Sequence, residues 1–269
     1  MQLSLSPDSQ ISYDNSGAGR PLVLLHAFPL FHEMWRDQIR EFAPDFQVIA
    51  PDARGFGETS AFAGEPSLEV VARDVNALLD ELKIADPIIL CGLSMGGYTA
   101  LEFARQFPAR LAGLILCDTR ADADSDDAKS SRDEMIEFAQ HHSGEEVAEK
   151  MLPKLLGQST RQHNLAVAAR VRELARTLTG HNAANMILAL KNRRDSTELL
   201  SQIAVPTLVL GGDEDELCPP DVMAQMAAQI PDARHELVRG AGHLSNLEAP
   251  ESFNAALREW LDTVGLLSG

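Results

Sequence analysis

A chain of 269 residues is long enough for an α/β core with an accessory part, and its 45% hydrophobic and 23% charged residues are typical of a soluble globular protein. The formal net charge of −17 argues against nucleic acid or anionic lipid as the main partner, because both would be repelled. No run approaches the roughly 18 apolar residues of a membrane span, and the first residues do not resemble a secretory signal. We therefore expect a cytoplasmic protein that acts on a small molecule.

The three cysteines, Cys91, Cys117 and Cys218, are far apart, and two of them lie in strand-like runs. An odd number of scattered cysteines predicts buried free thiols in a reducing compartment. The acidic run at 122–127 lacks the glycine and the distal glutamate of a calcium loop. We accordingly expect neither a metal nor a cofactor.

The first predicted element is an antiparallel edge hairpin, with apolar and polar residues alternating around a turn at Pro7-Asp8-Ser9. Short uninterrupted apolar runs follow at 21–25, 46–50, 87–91, 111–117 and 207–210. Such runs are typical of strands buried on both faces of a parallel sheet. Helical spacing separates them at 67–83, where Ser67 is a candidate N-cap, and at 97–107. The alternation predicts an α/β fold with a mostly parallel sheet and helices on both faces.

The alternation stops between residues 120 and 200, where no strand-like run occurs. Helical spacing is found there instead at 132–142, 145–156, 165–178 and 183–191. We expect residues 1–119 and 201–269 to form the α/β core and residues 120–200 to form a helical cap over one edge of the sheet. The core then continues with a helix over 220–229, a last strand over 234–238 and a C-terminal helix over 250–264.

The run Gly92-Leu93-Ser94-Met95-Gly96 lies where a buried strand meets a helix, which is the context of a nucleophile elbow. The turn is so sharp that a Cβ at Gly92 or Gly96 would collide with the neighbouring helix or strand. A serine that merely caps a helix after a glycine-rich turn would show the same short pattern. The position between strand and helix favours Ser94 as a nucleophile.

A serine hydroxyl is a poor nucleophile until a base removes its proton, and an acid must orient that base. Among the eight histidines, His243 is the candidate base, because it follows the last strand at the same sheet edge as Ser94. Three aspartates at strand ends compete for the role of the acid. Asp215 is favoured, and Asp118 and Asp213 remain alternatives.

An acyl-transfer site also needs backbone N–H groups that stabilise an oxyanion. The residue after the nucleophile, Met95, is one candidate donor, and Phe28 is the other, since Pro29 has no N–H. His26 in the same loop is expected to hold that loop by hydrogen bonds. Trp35 is the candidate for substrate contact, and simple core packing is its alternative role.

Five motifs, taken together and in this order, resemble the α/β-hydrolase superfamily, especially its bacterial branch of carboxylesterases, 3-oxoadipate enol-lactonases and cofactor-free haloperoxidases. They are His26-Ala27-Phe28-Pro29, Asp52-Ala53-Arg54-Gly55-Phe56-Gly57, Gly92-Leu93-Ser94-Met95-Gly96-Gly97, Gly212-Asp213-Glu214-Asp215, and Gly240-Ala241-Gly242-His243 with Glu248 and Pro250. The resemblance implies an eight-stranded sheet with an antiparallel second strand, a helical cap, and a catalytic triad of Ser94, Asp215 and His243. Relatives that attack with a carboxylate at the elbow, such as epoxide hydrolases, are disfavoured by Ser94.

The leading functional hypothesis is a serine hydrolase that cleaves a small carboxylic ester through an acyl-enzyme, without a cofactor. An enol-lactonase or carbon–carbon bond hydrolase, or a perhydrolase, is the alternative. An acidic substrate would need cations, for which the predicted cap offers Arg161, Arg170, Arg172, Arg176, Arg193 and Arg194. The simpler role of these arginines is pairing with nearby acids. A noncatalytic small-molecule sensor is a third hypothesis, and the sequence leaves a homo-oligomer open.

Overall fold

The computed structural model describes residues 1–6 and 9–267. The described strands are β1 (Gln2–Ser6), β2 (Ser9–Ser16), β3 (Arg20–Leu25), β4 (Phe46–Pro51), β5 (Ile88–Leu93), β6 (Leu111–Cys117), β7 (Thr207–Gly212) and β8 (Ala233–Val238). The described helices are α1 (Arg36–Phe42), α2 (Leu68–Glu81), α3 (Met95–Gln106), α4 (Asp126–Gln140), α5 (Gly144–Leu155), α6 (Gln158–His163), α7 (Leu165–Ala175), α8 (Gly180–Lys191), α9 (Thr197–Leu200), α10 (Pro220–Ala227), α11 (Ser245–Glu248) and α12 (Pro250–Thr263). Short 3-10 turns lie at His32–Trp35 and Pro108–Arg110.

The eight strands form one sheet in the order β1-β2-β4-β3-β5-β6-β7-β8. β2 pairs antiparallel with β1 and β4, and every pair from β4 to β8 is parallel. The predicted fold class is therefore confirmed, as are the eight strands with an antiparallel second strand and the edge hairpin. Pro7 and Asp8, in the predicted hairpin turn, lie outside the described residues.

Alternate side chains of β3 show why the central strands are uninterrupted apolar runs. Leu22 and Leu24 belong to a core cluster that includes Phe42 of α1 and Trp260 of α12. Val23, between them, belongs to a second cluster that contains residues of α2, α3 and α10. All three β3 side chains are fully buried. Because helices cover both faces of the sheet, both faces of the middle of β3 are apolar.

Most helices follow the predicted periodicity, with boundaries that shift by a few residues. Ser67 caps α2 as predicted, and its Oγ accepts a hydrogen bond from the N–H of Val70 at 3.4 Å. The sequence analysis missed α1, α6, α9 and α11, which have seven, six, four and four residues, because such short segments show too little of the helical period. Among the described residues, no helix is long and apolar enough to cross a membrane.

Helices α4–α9 lie in the chain between β6 and β7, and we call them the helical insertion. Side chains of α4, α5 and α8 in this insertion, among them Ala139, Val147 and Met186, form an apolar cluster with Phe28 and Met95 of the core. The insertion therefore packs against the loops that follow β3 and β5.

The three cysteines are buried and free, as predicted. Cys91 on β5 and Cys117 on β6 have their Sγ atoms 3.9 Å apart. Burial raises the pKa of the Cys117 and Cys218 thiols well above the ordinary value. These side chains are protonated thiols that fill the core.

Candidate active site

Ser94 forms the turn between β5 and α3 by itself. Its φ of 54° and ψ of −112° lie in a region that L-residues rarely adopt. A Cβ at Gly92 would lie 2.2 Å from the carbonyl oxygen of Gly96, and a Cβ at Gly96 would lie 2.1 Å from that of Leu25. The predicted steric requirement for both glycines is therefore confirmed. Such a turn ends the strand abruptly and leaves the Ser94 side chain partly exposed.

The strained backbone at this turn gives a prediction about stability. Ser94→Gly is expected to be more stable than Ser94→Ala by about 1 kcal/mol, because relief of the φ strain outweighs the extra freedom of an unfolded glycine. Both variants lack the hydroxyl, so the comparison isolates the backbone. Urea unfolding measures the difference, and an alanine variant at least as stable as the glycine variant would contradict it.

Ser94, His243 and Asp215 form a hydrogen-bonded chain. Ser94 Oγ lies 2.7 Å from His243 Nε2, and His243 Nδ1 lies 2.8 Å from Asp215 Oδ2. Asp215 Oδ1 accepts hydrogen bonds from the N–H groups of Leu217 and Cys218 at 2.8 and 2.9 Å. The Asp215 carboxylate thus has three polar contacts, and a carboxylate only accepts, so Nδ1 carries the proton and Nε2 faces the serine hydroxyl as an acceptor.

The two other aspartates at strand ends do not reach His243. Asp213 Oδ1 accepts a hydrogen bond from the N–H of Gly240 at 2.7 Å, and Asp213 lies 3.7 Å from Arg239. Asp118 is fully buried and hydrogen-bonded elsewhere. Of the three candidate acids, the structure brings Asp215 to the histidine.

The two predicted oxyanion donors, Phe28 and Met95, lie in one apolar cluster. Met95 is the first residue of α3, so its N–H has no carbonyl partner within the helix and lies at the positive end of the helix dipole. Within residues 1–6 and 9–267, the N–H of Phe28 has no hydrogen-bond partner. Phe28 and Met95 are 4% and 2% exposed and share an apolar cluster. Free N–H groups in such surroundings suit the stabilisation of a developing negative charge, and this role remains a prediction.

His26 has the structural role that the sequence predicted. Its Nε2 accepts a hydrogen bond from the N–H of Ala53 at 2.9 Å, and its Nδ1 lies 3.1 Å from the carbonyl oxygen of Ala27. Burial lowers the pKa of His26, so the ring stays neutral. It joins the loop that contains Phe28 to the loop after β4.

Sequence reasoning missed a second bridge between these loops, formed by His32 and Asp52. Asp52 accepts hydrogen bonds from the N–H of His32 at 2.7 Å and from its Nδ1 at 2.8 Å. Burial is the largest single influence on the pKa of Asp52 and would raise it, but the hydrogen bonds from His32 and the nearby His26 and His32 rings together outweigh burial, so the pKa is lowered. Likewise, Asp52 raises the pKa of His32 although burial opposes this. The sequence does place His32 and Asp52 after two strands that are neighbours in the sheet, and this position could have indicated the bridge.

Trp35 does not lie where the sequence reading expected. It is fully buried in the core and packs against Phe253 of α12, with the ring centroids 6.1 Å apart. A side chain with no accessible surface cannot meet a substrate. The expected contact between Trp35 and the substrate is therefore corrected to core packing.

The helical insertion is joined to the loop that contains His243. The N–H of His243 donates to the carbonyl oxygen of Leu155 at 3.1 Å. Glu248 accepts hydrogen bonds from the N–H of Gly157 at 2.8 Å and from that of Leu244 at 3.1 Å. A Cβ at Gly242 would lie 2.2 Å from the nitrogen of Gly157, so the two backbones are in direct contact. The position of the insertion thus affects the position of the histidine.

One group among the described residues has the composition of a metal site, namely Asp215, Cys218 and His243, whose ligand atoms lie within 4.8 Å of one another. Burial keeps the Cys218 thiol protonated, and His243 is hydrogen-bonded on both ring nitrogens. A metal needs deprotonated, unoccupied ligands, so the arrangement suits proton transfer better than metal binding.

Two carboxylates of the acidic run at 122–127 are also committed to other partners. Asp122 pairs with Arg120 at 2.6 Å. Asp124 pairs with Arg193 at 2.6 Å and with Arg132 at 3.0 Å. These carboxylates anchor the start of the insertion.

Comparison with known proteins places this geometry in a family. Residues 20–250 match the family model described as the alpha/beta hydrolase fold. A thermophilic esterase from Thermogutta terrifontis, solved with malate bound, is 40% identical with a TM-score of 0.91, over 95% of this chain and 94% of that chain. The enol-lactonase from Burkholderia xenovorans LB400 is 26% identical with a TM-score of 0.87, over 96% and 99% of the two chains. The (E)-2-((N-methylformamido)methylene)succinate hydrolase of Acinetobacter baylyi is 28% identical over 97% of each chain.

The chain belongs to the α/β-hydrolase family, and it is a hydrolase. The resemblance to the esterase and enol-lactonase branch, drawn from the five motifs, is confirmed. The relatives act on several kinds of bond, so the substrate has to be argued from this chain's own residues.

Proposed function

We propose that this hydrolase cleaves small, uncharged carboxylic esters through an acyl-enzyme formed on Ser94. The observation that carries the proposal is the hydrogen-bonded chain from Ser94 through His243 to Asp215. This order of hydroxyl, imidazole and buried carboxylate is the arrangement that activates a serine for acyl transfer.

The proposed reaction has two steps. Ser94 Oγ attacks the ester carbonyl while His243 Nε2 takes its proton, and Asp215 stabilises the imidazolium that forms. The N–H groups of Phe28 and Met95 bind the oxyanion. His243 then protonates the leaving alcohol, and it next activates a water that releases the acid and restores Ser94.

We favour an uncharged ester because each of the six arginines that could bind an acidic substrate has a carboxylate partner. The pairs are Arg161 with Glu216, Arg170 with Glu33 and Glu173, Arg172 with Glu149, Arg176 with Glu145, Arg193 with Asp124, and Arg194 with Glu69 and Glu102. Recruiting one of them to a substrate would break an existing ion pair. The insertion faces Phe28 and Met95 with apolar side chains, which supports its role as a cap over residues 1–119 and 201–269 and suits a neutral acyl chain.

An acidic lactone is the second candidate. Two findings favour it: the enol-lactonase relative, and the bound malate in the structure of the 40% identical esterase. Both findings are properties of those two proteins. The paired arginines of this chain weigh against the same specificity here.

The test is a panel of short p-nitrophenyl esters and a dianionic enol-lactone, assayed with the wild type. We expect kcat/KM to be at least about tenfold higher for the neutral esters. A higher value for the lactone, lost when Arg161 and Arg170 are changed to glutamine, would support the second candidate instead. Failure of a fluorophosphonate probe to label Ser94 would point to a noncatalytic sensor.

A further inference from the structure

The end of β6 is in contact with the backbone of the proposed nucleophile. The carbonyl oxygen of Cys117 accepts a hydrogen bond from the N–H of Ser94 at 2.9 Å. Thr119 Oγ1 donates to the carbonyl oxygen of Ser94 at 3.0 Å. Asp118 lies between these two residues, and the proposed mechanism gives it no role.

Asp118 links the two loops that contain Asp215 and His243. Its Oδ1 accepts a hydrogen bond from the N–H of Gly212 at 2.8 Å, and Gly212 ends β7, three residues before Asp215. Its Oδ2 is hydrogen-bonded to Oγ of Ser245, which lies two residues after His243. A single carboxyl group therefore holds the beginning of one loop and the end of the other.

The surroundings of Asp118 contain no compensating positive charge. The side chain is fully buried, and no lysine, arginine or histidine nitrogen of the described chain comes within ion-pair distance of it. The charged groups that act most on it are Asp215 and Glu248, both acids, and Asp118 in turn helps to raise the pKa of the Cys117 and Cys218 thiols. An unpaired buried carboxylate is so costly that such a group takes up a proton instead.

We propose that Asp118 is a positioning residue that holds the Asp215 and His243 loops in register with a protonated carboxyl group. Its Oδ2 is hydrogen-bonded to Ser245 Oγ, and its Oδ1 accepts from the N–H of Gly212. A neutral Asp118 adds no charge beside Asp215, the acid that faces His243 and orients it. The proposed effect on turnover rests on the function proposed for Ser94.

The direction of the Asp118 pKa agrees with this assignment. Burial, followed by the negative charge of Asp215, raises the pKa of Asp118 well above its ordinary value, although the hydrogen bonds from Ser245 and Gly212 lower it. The net direction is upward, so the carboxyl remains protonated where an ordinary aspartate is ionised.

Asparagine is the matched replacement at this position. Its amide oxygen can accept from Gly212, and its amide nitrogen can donate to Ser245 Oγ, since a hydroxyl both donates and accepts. The backbone φ of Asp118 is 45°, a left-handed value that asparagine tolerates better than most residues. Asp118→Asn thus keeps both hydrogen bonds and removes only the ionisation, whereas Asp118→Ala removes the bonds.

The first measurement is steady-state turnover of p-nitrophenyl acetate at pH 7. We expect Asp118→Asn to stay within about threefold of the wild type in kcat, and Asp118→Ala to lose at least about tenfold in kcat with KM little changed, because a misplaced histidine slows the chemical step. Ser245→Ala, which removes one of the two bonds and leaves the backbone intact, should lower kcat in the same way if the alanine variant at 118 does not fold. An Asp118→Asn enzyme as slow as Asp118→Ala would overturn the proposal, since it would mean that the charge is needed.

The second measurement is the pH dependence of unfolding, which needs no activity. Above the ordinary pKa of 3.8 the unfolded chain has released the Asp118 proton while the folded chain retains it. The wild type is therefore expected to lose stability relative to Asp118→Asn as pH rises, by about tenfold in the unfolding constant per pH unit, until pH reaches the folded pKa. Parallel unfolding constants for the two proteins from pH 5 to 8 would show an ionised Asp118 and overturn the proposal.

The two measurements separate this proposal from the proposed function. If Ser94 is not the nucleophile, the esterase rates will not respond to Ser94→Ala, yet the unfolding constants still report the protonation of Asp118. If Ser94 is the nucleophile and the unfolding constants run parallel, the positioning role alone is wrong.

Discussion

Ser94→Ala is expected to lower kcat/KM for p-nitrophenyl acetate by about 10⁴-fold or more, because the enzyme loses its nucleophile while the rest of the site stays intact. The hydroxyl lies 2.7 Å from His243 Nε2, so its removal also leaves the base without a proton to accept. A residual rate from the oxyanion donors and substrate binding is expected to remain. Turnover with a purified, folded variant measures the loss.

The control for this variant is labelling by a fluorophosphonate probe, read by peptide mass spectrometry. The probe should label the wild type at Ser94, and it should label no serine of the Ser94→Ala variant. Ser94→Gly provides a second control, since it also lacks the hydroxyl but relieves the backbone strain. Wild-type turnover in either variant would place the nucleophile elsewhere in the chain.

Ser94 could be predicted as the nucleophile from the sequence because its position depends on the geometry of neighbouring residues in the chain. A strand, a one-residue turn and a helix force glycine at two fixed positions, and both glycines are visible in the chain. His243 and Asp215 were predictable for a related reason. Each follows a strand of one parallel set, and the carboxyl ends of such strands share a sheet edge.

Other contacts of the site depend on residues that the sequence separates widely. Asp118 and Ser245 are 127 residues apart, and no periodicity relates them. The choice between Asp118 and Asp215 as the acid required the direction in which each side chain extends from its strand end. Trp35 is a second example, because its position in the sequence suits either a pocket residue or a core residue. Its packing against Phe253 shows that it is a core residue.

Asp215→Asn is expected to lower kcat by about 10³- to 10⁴-fold with a smaller effect on KM. Asparagine can occupy the same space, but its amide removes the negative charge that stabilises the imidazolium and can impose the wrong tautomer on His243. The carboxylate lies 2.8 Å from His243 Nδ1 and is 3% exposed, so solvent cannot replace it.

Asp213→Asn is the matched control, because Asp213 is two residues away on the same loop and lacks contact with His243. Asp213 accepts a hydrogen bond from the N–H of Gly240, and an asparagine oxygen can still accept it. Its kcat is expected to stay within about threefold of the wild type, since surface changes of this kind perturb a structure little. If Asp213→Asn were the slower enzyme, the acid would have to be reassigned, and the hydrogen bond between His243 and Asp215 would be structural. If the two variants were equally slow, the loop as a whole and not the charge at 215 would control the histidine.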